Sequence, residues 1–121
     1  MDPSHAPEAE ILESATLDFA LGEVDKAIEA LEAATSRFPD SFPLHHALAE
    51  MYFSRRDLDP ALRHASRAEE LDPEDVHLHT SLSRIWMERG DKEKAEHHGA
   101  RARMLGWKEQ LKEPPGEPPP S

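Results

Sequence analysis

Residues 42–73 read FPLHHALAEMYFSRRDLDPALRHASRAEELDP, and residues 76–107 read VHLHTSLSRIWMERGDKEKAEHHGARARMLGW. Laid over one another at an offset of 34, without a gap, they share ten identical pairs in 32: Leu44/Leu78, His45/His79, Leu48/Leu82, Arg55/Arg89, Asp57/Asp91, Ala61/Ala95, His64/His98, Arg67/Arg101, Ala68/Ala102 and Leu71/Leu105. Average composition gives about two by chance. Self-similarity at a fixed period signals a repeat architecture, in which each copy folds alike and buries its apolar face against the next. The period also runs backwards, since Ala27, Ala34 and Pro39 stand 34 residues before Ala61, Ala68 and Pro73. Three copies therefore cover about residues 8–40, 42–74 and 76–107.

Each copy reads as two helices. In the second, Leu44, Leu48, Met51, Tyr52 and Arg55 recur at the three- and four-residue steps of one helical face, and Leu58, Leu62, Ala65, Ala68 and Leu71 do so again. The turn between them holds Arg56-Asp57. Asp57 and its counterparts Glu23 and Asp91 are placed to cap the following helix or to favour its positive end. Pro60 fits a first helical turn, where the missing N–H had no partner. Gly22 and Gly90 ease the reversal in the outer copies, whereas Arg56 replaces glycine in the middle one. Pro39 and Pro73 end the second helices of their copies. Gly106 suggests a further helix end, so that WKEQLK, residues 107–112, forms a short closing helix that lays Trp107 and Leu111 on the last pair. Residues 1–7 form a disordered head. Residues 113–121 (EPPGEPPPS) are too proline-rich to fold and favour polyproline II.

These features resemble the tetratricopeptide repeats. The likeness rests on the 34-residue period, small residues at Ala15/Ala49/Ser83, Leu48/Leu82, aromatics at Tyr52/Trp86, the alanine columns Ala27/Ala61/Ala95 and Ala34/Ala68/Ala102, and Pro39/Pro73. It departs at Ser14 and Asp18, where leucine and an aromatic are expected, and at Trp107, which stands in place of the proline. The resemblance implies an all-α solenoid of three antiparallel helix pairs, whose first helices line a concave ligand groove. On those helices the non-core face runs through Leu12, Thr16 and Phe19; through His46, Glu50 and Phe53; and through His77, Thr80, Arg84 and Met87. Phe19, Phe53 and Met87 are one period apart. Stacking sets them in a row, read either as a stripe that grips apolar side chains of a partner or as part of the inter-repeat core. The family's carboxylate clamp for acidic chaperone tails maps onto Leu12, Thr16, Ala47, His77 and Ser81, none of which matches its lysine, asparagine and arginine. An acidic ligand is therefore disfavoured, and a neutral or basic segment with apolar anchors is expected.

Composition narrows the function further. The net charge is −11, and no basic stretch is present to neutralise phosphates, so neither nucleic acid nor an anionic membrane surface is an expected partner. Without cysteine there is no disulfide, thiolate nucleophile or sulfur-ligated metal. No signal-like or membrane-spanning apolar run occurs, and a cytoplasmic protein is expected. Among eight histidines no pair has the i, i+4 spacing that aims two imidazoles at one ion; solvated or capping rings are expected, with no metal or cofactor. His46 and His77 in the groove would make binding pH-sensitive. Phosphate-loop, nucleophile-elbow and H-E-x-x-H patterns are missing, and the carboxylates read as a solvated face. The expectation is a non-catalytic adaptor that binds a peptide or helix of another protein. A dedicated chaperone or assembly factor for a secreted or membrane-complex subunit is the alternative, and a homodimer is a further possibility. The tail's Pro115–Pro118 spacing suits a partner's aromatic groove, but without flanking basic residues it reads as a solvated terminus, with docking into the groove of its own or a neighbouring chain as a third option.

Overall fold

A computed structural model describes residues 6–112 as six helices, with no strand among the described residues. They are α1 (Glu8–Ala20), α2 (Val24–Arg37), α3 (Phe42–Ser54), α4 (Leu58–Leu71), α5 (Val76–Arg89) and α6 (Lys92–Lys112). The pairs α1–α2, α3–α4 and α5–α6 are the three expected hairpins. The disordered tail expected over 113–121, and all of the expected head but Ala6 and Pro7, lie outside the described residues.

The alanine columns lie in the packed interior. Ala27, Ala34, Ala61, Ala68, Ala95 and Ala102 are all buried, so helix axes approach closely, while Leu31, Leu44, Leu48, Leu78, Leu82 and Ile85 fill the space between. One cluster joins α1, α2 and α3; a second joins α3, α4 and α5. Because α3 belongs to both, the apolar interior runs from one hairpin into the next. The curvature follows from which helices meet. α1 contacts α3 and α3 contacts α5, whereas among the described residues no such contact joins α2 to α4 or α4 to α6. The stack therefore bends towards its first helices, which form the inner wall.

The turns follow backbone chemistry. Gly22 and Gly90 have φ of 87° and 91°, in the left-handed region that glycine enters without a Cβ clash. Arg56 occupies the equivalent position at φ 64°, the single non-glycine residue with positive φ among the described ones. Caps fall partly elsewhere than expected. Asp91 accepts from the Lys94 N–H at 3.0 Å, but Asp57 and Glu23 make no side-chain cap bond, and Asp57 pairs with Arg55 at 2.9 Å. Ser41 and Asp75 cap α3 and α5, accepting from Leu44 N–H (3.3 Å) and Leu78 N–H (2.8 Å).

The closing helix requires correction. Residues 107–112 are helical, but as the last turns of α6, which runs unbroken through Gly106. The first two copies stop at Pro39 and Pro73, and Trp107 stands where that stop would be. Gly106 is not among the glycines with positive φ, so nothing turns the chain back. Trp107 and Leu111 are accordingly 68% and 75% exposed instead of covering the last pair.

Leu48 is completely buried between the first two hairpins, so Leu48→Ala is expected to destabilise the protein by about 2–5 kcal/mol. In dilute solution Trp107→Ala is expected to change stability by no more than about 0.5 kcal/mol. Urea denaturation of both variants checks the pair, and comparable losses in the two would restore Trp107 as a lid.

Candidate functional site: the inner wall

The inner wall is built around Phe53. This ring is half-buried, with its inner edge against the second core cluster, and two guanidinium groups lie over it: Arg84 of α5 at 4.9 Å and Arg56 of the α3–α4 turn at 5.5 Å from the ring centroid. Each arginine also faces a glutamate, Arg56 meeting Glu88 at 2.7 Å and Arg84 meeting Glu50 at 3.8 Å. Two adjoining depressions share Phe53, Arg56 and Arg84. One, of about 370 Å³, continues to Met87 and Glu88; the other, of about 350 Å³, continues to Phe19, Glu50 and Ser54. Phe19, Phe53 and Met87 thus line one continuous surface. The two sequence readings of this row divide along it: Phe19 and Phe53 also pack against the core, while Met87 is 55% exposed.

Glu50 ties α3 to α5. The Ser81 hydroxyl donates to its carboxylate, His46 Nε2 lies 3.7 Å from it, and His46 Nε2 lies 3.2 Å from Ser81 Oγ. The His46 imidazole foremost, then the Ser81 hydroxyl and the Arg84 charge, hold the Glu50 carboxyl below its usual range against the opposing effect of burial. Other expected site residues stand apart from the two depressions. Leu12 packs against the first core cluster, Thr16 and Thr80 are exposed and donate to the carbonyls of Leu12 (2.7 Å) and Val76 (3.2 Å), and His77 is exposed. Arg56 is the residue that sequence reading passed over. Its signal was a bulky side chain in a slot that is glycine in the other copies, which throws the guanidinium out of the turn and over Phe53.

The histidines also require correction. His45, His64, His79 and His98 are buried, not solvated, and pair between the two helices of a hairpin: His45 Nδ1 meets His64 Nδ1 at 3.0 Å, and His79 Nδ1 meets His98 Nδ1 at 3.1 Å. His45 Nε2 and His79 Nε2 reach the carbonyls of Pro39 (2.8 Å) and Pro73 (2.7 Å). A carbonyl only accepts, so the network assigns the His45 and His79 protons to Nε2; the His79 Nδ1 then accepts from His98, while His64, which faces both the His45 Nδ1 and the Glu32 carboxylate, donates to one of them at a time when neutral. Burial pushes His64 and His98 below the ordinary imidazole value, against the pull of Glu32 and Glu69 respectively. Glu32 of the preceding hairpin accepts from the Tyr52 hydroxyl at 2.9 Å and reaches His64 Nε2 at 2.8 Å. At the next seam Glu69 of the second hairpin stands 3.9 Å from both His79 Nδ1 and His98 Nδ1 of the third. Potential ligand atoms of Glu69, His79 and His98 lie within 4.8 Å of one another, gathered from three helices where an i, i+4 search along one helix finds nothing. The two facing Nδ1 atoms are at hydrogen-bond distance, which closes the pair on a shared proton.

The tetratricopeptide repeat family profile matches residues 12–76 and 46–109. No curated protein matches the sequence. Among solved structures the chain is similar to a MamA RS-1 ArsTM double mutant (20% identity, TM-score 0.81, covering 88% of this chain and 59% of that one). It is similar also to MamA 41-end from Desulfovibrio magneticus RS-1 (19%, TM-score 0.76, 81% and 55%) and to a further MamA crystal structure (18%, TM-score 0.76, 80% and 57%). At these identities the likeness is one of fold, and the chain spans less than two thirds of the length of these MamA chains.

The depressed Glu50 value fixes the sign of an acid effect. A carboxylate whose folded pKa lies below its unfolded value contributes stability that is present above about 4.5 and is lost as the pH falls through the folded value. Glu50→Gln is therefore expected to be less stable than the parent near neutrality, with the gap closing progressively below pH 4.5. Urea denaturation of both proteins along that pH series checks this, and a constant gap would contradict it.

Proposed function

We propose that this chain, which belongs to the tetratricopeptide repeat family, is a non-catalytic interaction module that binds a short segment of another protein along its inner wall. The supporting observation is the continuous surface through Phe19, Phe53 and Met87, with Phe53 at its centre. An extended or helical segment offers apolar side chains at a spacing that such a row can receive. The flanking charges set the preference. Arg56 and Arg84 already face Glu88 and Glu50, so the wall has no idle cation for a ligand carboxylate, and the net charge of −11 repels acidic segments at longer range. The ligand class is a neutral or basic segment with two or three apolar anchors. The described helices offer no route across a membrane, since none is long and apolar enough to span one.

Selection from a random peptide library on the immobilised full chain tests this reading. Enriched peptides are expected to carry apolar anchors without acidic runs. Phe53→Ala is expected to weaken them by about tenfold or more, as loss of a central anchor does. Acidic peptides that bind Phe53→Ala as tightly as the parent would overturn it.

A further inference from the structure

The outer edges of the stack differ in chemistry from its inner seams, and they differ in step with one another. At each inner seam a carboxylate of one hairpin approaches the histidine pair of the next: Glu32 at His64, and Glu69 at His79 and His98. One period before His45 and His64 stand Ile11 and Ala30, on the edge that precedes the first hairpin. Two periods after Glu32 and one after Glu69 stand Ala100 and Arg103, on the edge that follows the last hairpin. Ile11 and Ala30 on the leading edge, and Ala100 and Arg103 on the trailing edge, thus leave neither free edge with the histidine–carboxylate contact of an inner seam.

Shape changes with chemistry. The leading edge carries a cleft of about 560 Å³ whose floor includes Ile11, Ala30, Ala33 and Ala34, with Glu10 at its lining. The trailing edge presents Met104, Trp107 and Leu111, which are 66%, 68% and 75% exposed, beside Ala100 and Arg103. Terminal repeats that face only water carry polar outer surfaces. A row of exposed Met, Trp and Leu at one end and an alanine-floored cleft at the other are unlike that, and both are largely apolar. The repeat step states where they would meet. The Pro39 and Pro73 carbonyls contact His45 and His79 across the turn that leads into the next hairpin. Trp107 occupies the corresponding position on α6, and Ile11 corresponds to those histidines. One further step of the same stacking therefore sets Trp107 against Ile11, and Ala100 against Ala30, of a second copy. By the same step Arg103, the counterpart of Glu69, faces Ile11 and Ala30 of that copy, with Glu10 and Arg37 on the lining of the same cleft.

We propose that the chain associates head to tail with copies of itself, the Met104/Trp107 edge of one copy seating in the Ile11/Ala30/Ala33 cleft of the next and continuing the stack. The contact is heterologous, so each copy keeps one free edge of each kind and the association is open-ended. It leaves the Phe53 surface free and does not depend on the ligand proposed for it.

Sedimentation velocity of the full chain over a concentration series is the test, with Trp107→Glu and Ala33→Glu as variants. Both positions are exposed, and unchanged far-ultraviolet circular dichroism confirms that each variant folds. The parent is expected to form a concentration-dependent ladder of species, and each variant alone is expected to be monomeric. An equimolar mixture of the two retains one intact edge of each kind and is expected to form dimers and nothing longer. A parent that stays monomeric at every concentration, a single variant that associates like the parent, or a mixture that stays monomeric would each overturn the proposal. The first of these is also the outcome expected if a different protein covers the edges.

Discussion

Everything in this molecule depends on the seam between successive helix hairpins. A hairpin of two short helices cannot bury its apolar face alone, and here the interior becomes continuous only because α3 serves two clusters at once. Alanines at Ala27, Ala61 and Ala95 let the helices close up, and fully buried leucines fill what remains. Polar groups then fix the register. The Ser41 hydroxyl meets Glu8, Glu32 meets Tyr52 and His64, and Ser81 meets Glu50, each joining one hairpin to the next. Buried hydrogen-bonding groups of this kind penalise a slipped alignment, because displacement leaves them without partners. No buried side-chain nitrogen or oxygen among the described residues is left without one.

The inner wall is a consequence of that seam. With the first helices in contact and the second helices splayed, residues one period apart on α1, α3 and α5 come into line. Phe53 lies between its counterparts Phe19 and Met87, and two arginines from different elements converge on its ring. Glu50 has a double role, holding α3 to α5 through Ser81 and balancing Arg84 on the wall. The seam and the surface proposed for recognition thus share Glu50.

Most of the architecture was legible because repetition multiplies a weak local signal. Helix spans, the glycine turns and the proline stops follow from single residues seen at equivalent places. What could not be read depended on contacts between copies. Arg56 looked like a turn residue in a glycine slot, and only the fold directs it onto Phe53. The histidine columns suggested copied surface residues, since ring-to-ring contact across two helices has no signature along one of them. Gly106 misled for a related reason: glycine ends a helix only where the backbone swings to positive φ, and with tryptophan in the proline position α6 simply continued.

The most direct measurement of the stacked geometry uses distances between equivalent places on the inner wall. Ala20, Ser54 and Glu88 are exposed and one period apart, and the absence of native cysteine allows nitroxide labels to be placed on them in pairs. Pulsed electron–electron double resonance is predicted to give closely similar distances for 20–54 and 54–88, and a 20–88 distance approaching their sum. A 20–88 distance as short as the other two would mean that the hairpins close into a bundle with no open wall, and would contradict the account.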